Sequence, residues 1–146
     1  MFSDLRFSVE TDQAREFART LFDALHRSNV ERTNDGTIEN VCVVARDVEG
    51  NLVGGIFGEV FWGWLHVTVL WVAPTFRRRG IGGHLLSRAE AEALSKGCHG
   101  SWLDTFTFQS VSFYHRAGYA TFGTLEQFPN GQSRHFLRKS LSGGAP

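Results

Sequence analysis

The sequence lacks the features that mark several large classes of protein. Two cysteines, Cys42 and Cys98, are too few for a disulfide framework. The six histidines show no zinc-type spacing, so we predict no metal site. Basic and acidic residues number 15 each, and the resulting net charge of zero argues against a general nucleic-acid-binding protein.

Long apolar runs, targeting signals and internal repeats are also missing. No run approaches the roughly 18 apolar residues of a membrane span, and no secretory signal opens the chain. We therefore expect a soluble, reducing, cytoplasmic setting without a membrane partner. With 146 residues, 42 % of them hydrophobic, the chain is expected to form one domain over residues 1–141, followed by a disordered tail at 142–146.

What the sequence does contain is a basic, glycine-rich turn between an apolar run and a helical pattern. The apolar run covers residues 65–72, and the turn reads Arg77-Arg78-Arg79-Gly80-Ile81-Gly82. Glycines let the backbone turn tightly, and the free N–H groups at a helix start favour phosphate oxygens. A strand, a basic turn and a helix in this order predict a diphosphate site.

Two well-known phosphate loops do not match this turn. A Walker A loop ends in Gly-Lys-Ser/Thr, and no such string occurs. A dinucleotide-binding fingerprint needs a third glycine where the chain has Leu85, and the extra glycine stands at Gly83 instead. Taken alone, a basic turn of this kind is as often a solvated helix start as a ligand site, so further motifs decide its meaning.

Two motifs together resemble one family. Arg-x-x-Gly-x-Gly from Arg77 to Gly82, preceded by Leu70-Trp71-Val72-Ala73-Pro74, resembles the acyl-CoA-binding motif of the GNAT N-acetyltransferase superfamily. Downstream, Phe113-Tyr114-His115-Arg116-Ala117-Gly118-Tyr119 resembles that family's Phe-Tyr-x-x-x-Gly-aromatic segment, which carries a tyrosine near the thioester sulfur. The resemblance is sharp over residues 65–119 and merely compatible elsewhere.

The pattern along the chain predicts the order β-α-βββ-α-β-α-ββ. The first strand is expected at residues 5–10, and the first helix, N-capped by Thr11, is expected to end before a polar loop at 28–37. A helix from Ile81, closed by Gly97, and a short helix at 110–117 follow. The remaining strands are expected at 41–45, 52–60, 65–72, 101–106, 119–123 and 135–141, with a long loop at 125–134.

The resemblance implies a fold and a cofactor. The fold is an α/β one, with a mixed, mostly antiparallel sheet flanked by helices and with central parallel strands that splay apart. Acetyl-CoA, as a co-substrate, is expected between those strands, with its pantetheine arm paired to the backbone of Leu70, Trp71 and Val72. The diphosphate is expected at Arg77, Arg78, Arg79, Gly80, Ile81, Gly82 and Gly83, mostly through backbone N–H groups.

Amine acylation needs an acid for the thiolate and a base for the amine. Tyr114 matches the family's acid and also its cofactor contact, and a phenol is a donor at neutral pH. An alkyl ammonium has a pKa of about 10.4, so a base must accept its proton. His66 is the first candidate, because the resemblance places it where histone-acetylating members of the family carry a glutamate. Glu59 is its rival and Asp104 is third, while a water path without a single base is also open.

The expected reaction is therefore direct transfer in a ternary complex, with Cys98 in the core and no acyl-enzyme. The acceptor is expected to be a primary amine of a small molecule or a protein, and Trp62, Trp64 and Glu126 are residues that would suit a cationic acceptor. Gln109 stands where many family members have an asparagine. A CoA-binding sensor without turnover and an interaction module are the alternative functions, and homodimerisation is left open.

Overall fold

The computed structural model describes residues 3–141 and divides the chain into two compact units, with the boundary after Gly36. The first unit contains helix α1 (Ala14–Thr33). In the second unit the helices are α2 (Ile81–Ser95), α3 (Val111–Arg116) and a 3-10 turn (Pro74–Phe76). Its strands are β1 (Glu39–Arg46), β2 (Leu52–Phe61), β3 (Trp64–Val72), β4 (Gly100–Phe106), β5 (Ala120–Glu126) and β6 (Ser133–Ser140). The predicted tail at 142–146 lies outside the described residues.

The first unit differs from its prediction at both ends of the helix. Residues 5–10 form no strand, because a strand needs a hydrogen-bonded neighbour and the rest of residues 3–36 is helix and turn. Gln13, not Thr11, takes the cap position. The helix runs through the predicted loop to Thr33, since no glycine or proline interrupts it before Gly36, and it ends at Asn34 in a left-handed conformation (φ 55°).

The second unit has the predicted α/β fold, with a mixed and mostly antiparallel sheet. The strand order is β1-β2-β3-β4-β6-β5, and β3 and β4 are parallel neighbours. Trp62 and Gly63 have positive φ values of 50° and 80° and form a tight turn that joins β2 to β3. The predicted loop at 125–134 is shorter than expected, because Leu125 and Glu126 still pair with β6 through Arg134 and Ser133.

The core of this unit lies between α2 and one face of the sheet. Leu86 and Ala89 of α2 are buried, as the apolar stripe predicts, and they belong to the same cluster as Leu65 of β3 and Leu103 of β4. Gly97 follows the helix with φ 87°, the left-handed position that favours glycine. Cys98 is buried in this cluster, in agreement with its predicted core role.

Strand β3 contains a β-bulge that changes which of its side chains face the core. Phe57 of β2 pairs with Val69 while Gly58 pairs with Val67, so Thr68 is an extra residue in β3. The bulge shifts the alternation, and Leu70 and Val72 therefore pack against the core after Leu65 and Val67. A Cβ on Gly58 would lie 2.6 Å from the His66 carbonyl oxygen, so the close approach of the two strands at this point requires glycine.

The two parallel strands separate soon after they meet. β3 and β4 pair only at Trp64 with Gly100, Leu65 with Ser101 and His66 with Trp102. The second half of β3 is therefore partly exposed, with Val69 53 % and Trp71 46 % accessible to solvent. Among the described residues, backbone groups of this half pair with none of β4, which is the splayed arrangement that the resemblance implied.

Candidate active site

A cleft of about 1130 Å³ opens where β3 and β4 separate. Its walls come from the second half of β3, the turn before α2, the end of β4 and helix α3. Its volume is slightly above the roughly 300–1000 Å³ of typical small-molecule sites. Every predicted cofactor-binding residue except Arg79 lines it, namely Leu70, Trp71, Val72, Arg77, Arg78, Gly80, Ile81, Gly82, Gly83 and Tyr114.

The turn before α2 presents an anion-binding helix start. Gly80 occupies the cap position with φ 80°, a left-handed conformation that suits glycine. The first helical hydrogen bond runs from the His84 N–H to the Gly80 carbonyl (3.0 Å), so the N–H groups of Ile81, Gly82 and Gly83 have no intrahelical acceptor. Helix-dipole and N–H geometry together make this position favourable for phosphate oxygens.

The three arginines of the turn differ in placement. Arg77 donates from Nε to the Val72 carbonyl oxygen (2.8 Å), which ties the turn to the end of β3. Arg78 lines the cleft and has a positive φ of 63°. Arg79 lies over the Phe76 ring, 5.1 Å from its centroid, and is not part of the wall.

Tyr114 is a buried phenol that borders the cleft. It lies in α3, with its ring edge-on to Phe113 at 5.0 Å and to Tyr119 at 5.9 Å. Burial, with a smaller contribution from the Asp104 carboxylate, raises the pKa of Tyr114 to about 12. The side chain is therefore protonated at neutral pH and can act only as a neutral donor or acceptor.

His66 and Glu59 are neighbours on the sheet, outside the cleft wall. Their backbones pair across β2 and β3, and the His66 ring stacks on Trp102 with centroids 3.8 Å apart. Because Leu65 and Val67 point toward α2, His66 points to the opposite face. Burial lowers the pKa of His66 below 6.5, and the carboxylates of Asp104 and Glu59 oppose that shift. The imidazole is thus neutral at pH 7.

Asp104 lines the cleft and has a partner that the sequence did not reveal. Arg134 of β6 donates from Nε to Asp104 Oδ2 (2.7 Å). The guanidinium also lies over the rings of Phe106, Phe128 and Phe136, at 5.5, 5.1 and 5.4 Å. No local pattern connects positions 104 and 134, since β6 comes beside β4 only through the sheet order.

Other residues singled out in the sequence take different places. Gln109 Oε1 accepts hydrogen bonds from the Thr105 hydroxyl and the Phe106 N–H (both 2.9 Å), so it closes the end of β4. Trp62 and Trp64 lie at the start of β3 and are not part of the cleft wall, and neither is Glu126 at the end of β5. The two tryptophans that were expected to suit a cationic acceptor therefore do not border this cleft.

Comparison with known proteins identifies the family. The model of the acetyltransferase (GNAT) family matches residues 7–119. This chain belongs to the GNAT acetyltransferase family. Its fold and its splayed parallel strands are those of GNAT acetyltransferases, and the chain is therefore an acyltransferase of that family.

Three relatives of this GNAT chain bear on its role. A blasticidin-S acetyltransferase of Streptomyces morookaense is 44 % identical over 93 residues, which is 63 % of this chain and 68 % of that protein. An acetyltransferase of Agrobacterium fabrum is 32 % identical over 85 % of this chain and 90 % of its own length. A crystal structure of an acetyltransferase from Bacillus cereus has a TM-score of 0.83 at 31 % identity, covering 94 % and 98 % of the two chains.

Two further observations concern the described residues alone. Within residues 3–141, no helix is both long and apolar enough to cross a membrane. In the same range, no three histidine, cysteine, aspartate or glutamate side chains lie together in a way that would hold a metal ion.

Proposed function

We propose that this chain moves an acetyl group from acetyl-CoA to a primary amine of a small molecule, in one ternary complex and without an acyl-enzyme. The observation that carries the proposal is the cleft between β3 and β4, which brings a basic helix start and a buried phenol to the same cavity. Neither feature alone implies acyl transfer, whereas a diphosphate site and a proton-bearing group in one cleft suit a CoA thioester.

Both the diphosphate and the pantetheine arm of the cofactor would bind to backbone groups of the protein. The diphosphate would accept hydrogen bonds from the N–H groups of Ile81, Gly82 and Gly83, with Arg77 and Arg78 adding positive charge. The pantetheine arm would pair with the open backbone of Leu70, Trp71 and Val72. A free N–H of this strand would then polarise the thioester carbonyl, as an oxyanion hole does.

Tyr114 would assist departure of the sulfur. As the amine nitrogen forms its bond to the acetyl carbon, the C–S bond breaks and negative charge develops on sulfur. A phenol with a pKa of about 12 is a weaker acid than a thiol with a pKa of about 8.5, so a full proton transfer to sulfur is uphill. Tyr114 therefore stabilises the leaving thiolate by donating a hydrogen bond, and solvent supplies the final proton.

His66 is our first choice for receiving the proton of the amine. It is neutral at pH 7 and half-buried, and it lies opposite Glu59 in the β2–β3 register, so that the nearby carboxylate would stabilise the imidazolium that forms. Because the cleft wall begins at Val67, the proton would reach His66 through water. Glu59 is the alternative acceptor at the neighbouring position of β2.

A small-molecule acceptor is supported by the relative that is 44 % identical, whose name gives an antibiotic as its substrate. The test is a thermal-shift titration with acetyl-CoA, followed by thiol release with blasticidin S and a panel of simple amines. Acetyl-CoA at 100 times its dissociation constant should stabilise the fold by roughly 2.7 kcal/mol. Stabilisation with amine-dependent thiol release is the expected result. Stabilisation without release would indicate a sensor, and no stabilisation would overturn the proposal.

A further inference from the structure

The charges that line the cleft are unevenly distributed. Arg77, Arg78 and Arg116 supply positive charge, as an anionic cofactor requires. Among the described residues of the wall, Asp104 is the only acidic one. Arg134 already neutralises this carboxylate, so a further cation at Asp104 would use the acceptor capacity that the Arg134 ion pair leaves over. Because the expected acyl donor is an anion, such a cation would come with the second substrate.

The Asp104 carboxylate is mostly buried but keeps acceptor capacity beyond its ion pair. Its side chain is 18 % exposed. Oδ2 accepts the Arg134 hydrogen bond. An ionised carboxylate accepts about four hydrogen bonds, so this pair does not use its full capacity. Among the described residues no buried side-chain polar atom lacks a partner, so the remaining acceptor positions of Asp104 are open to water, which a donor from the second substrate could replace.

Arg134 holds this carboxylate in place without saturating it. It donates through Nε alone and is not a two-pronged partner. Three phenylalanine rings lie 5.1 to 5.5 Å from the guanidinium, namely Phe106 in β4, Phe128 in the loop between β5 and β6, and Phe136 in β6. These contacts restrict rotation of the Arg134 side chain, and its hydrogen bond to Oδ2 orients Asp104 in turn.

Asp104 also stands close to both groups proposed for proton transfer. In the register His66 lies opposite Trp102, so Asp104 is two residues further along β4, on the same face and just beyond the last β3–β4 pair. The carboxylate raises the pKa of both His66 and Tyr114, which places it within electrostatic reach of each. A cation held at Asp104 would therefore lie near the reacting centre.

The reacting amine itself is a poor occupant of this place. Pairing with a carboxylate stabilises the ammonium and raises its pKa, which opposes the proton loss that attack requires. A second, non-reacting cation carries no such penalty. On the basis of the proposed function, we infer that Asp104 anchors a second cationic group of the acceptor, with Arg134 as its positioning residue. The acceptor class is thus amines that carry a further cation.

The test compares two acceptors of equal length, 1,6-diaminohexane and 1-aminohexane, by thiol release from acetyl-CoA. The wild-type protein should show a KM for the diamine about tenfold lower or more, since a charge-assisted hydrogen bond is worth about 1.5–3 kcal/mol. Asp104→Asn should reduce the preference for the diamine, expressed as the ratio of the two KM values, by that factor, because the ratio cancels any effect of the lost charge on His66 and Tyr114 that both acceptors share. It should leave the acetyl-CoA thermal shift unchanged. Glu92→Gln, an equal charge change on α2 outside the cleft wall, should keep the preference.

Three results would overturn the inference. The first is a wild-type protein that shows no preference for the diamine, and the second is a preference that Asp104→Asn retains. The third is a parallel loss of acetyl-CoA binding in Asp104→Asn, which would assign the residue to the cofactor site or the fold. A wild-type protein that acetyl-CoA does not stabilise would instead overturn the proposed function, on which this inference rests.

Arg134 is tested in two backgrounds. Arg134→Met should raise the diamine KM several-fold in the parent chain and leave the diamine-to-monoamine ratio unchanged when Asn already occupies position 104. Arg134→Lys should recover part of the preference, because a cation beside Oδ2 remains. If Arg134→Met lowered activity on both amines equally in both backgrounds, its role would be structural and the positioning role would be wrong.

Discussion

At the scale of single residues, the chemistry depends on two phenols in different surroundings. Tyr114 borders the cleft, whereas the hydroxyl of Tyr119 donates to Ser101 Oγ (2.8 Å) inside the core. Both are buried, and burial raises the pKa of both above the ordinary value of 10. The two tyrosines differ in the groups that surround their hydroxyls, so the pair provides a matched comparison for the role of the tyrosine hydroxyl.

Tyr114→Phe should lower kcat about 10²-fold or more, because it removes the donor to the leaving sulfur, while acetyl-CoA affinity changes little. Steady-state thiol release and a thermal-shift titration measure the two quantities. Tyr119→Phe is the control, and we expect it to cost about 1 kcal/mol of unfolding free energy with kcat nearly unchanged. An unaltered kcat in Tyr114→Phe would remove this residue from the mechanism.

His66 gives a prediction for the dependence on pH. Burial lowers the pKa of His66 below the ordinary histidine value, so the neutral form predominates at pH 7 and is lost as pH falls through the lowered pKa. The kcat/KM profile should therefore keep its base-dependent activity at neutral pH and lose it on the acid side, at lower pH than for an ordinary histidine, and His66→Gln should remove this limb.

Glu59→Gln distinguishes the two candidates for the base. The Glu59 carboxylate opposes the lowering of the His66 pKa, so its removal should move the acid limb to still lower pH without abolishing turnover. Abolished turnover in Glu59→Gln, together with a parental pH profile in His66→Gln, would transfer the role of base to Glu59.

At the scale of elements, local sequence patterns predicted the helices, strands and turns that consecutive residues form. Strand β3, the glycine turn and α2 follow one another along the chain, and apolar periodicity with Gly80 and Gly97 was enough to find them. The strand at 5–10 failed because its extended pattern says nothing about a pairing partner. The bulge at Thr68 and the Asp104–Arg134 contact could not be predicted for the same reason, since register and strand order are set by tertiary packing.

The candidate site was predictable to the extent that it is made of motif residues. The turn before α2 and Tyr114 both border the cleft, and they were found by their resemblance to family motifs. Arg79, expected with its neighbours at the diphosphate, lies over the Phe76 ring outside the cleft wall, and its role in cofactor binding stays a prediction. Trp62 and Trp64 were weighed by residue type alone, and type does not report at which end of a strand the cleft opens.

At the scale of the whole molecule, α2 joins stability to function, since its N-terminus forms the phosphate turn and its apolar face forms the core of the second unit. Leu86→Ala should lower the unfolding free energy by about 2–5 kcal/mol, measured by urea denaturation. Leu94→Ala on the same helix is the control, because Leu94 is 47 % exposed and should cost far less. Saturating acetyl-CoA, worth roughly 2.7 kcal/mol at 100 times its dissociation constant, should offset much of the loss in Leu86→Ala. An equal loss of unfolding free energy in both variants would contradict this assignment of the core. If acetyl-CoA stabilised the parent protein but not Leu86→Ala, the turn before α2 would no longer form when the core is weakened.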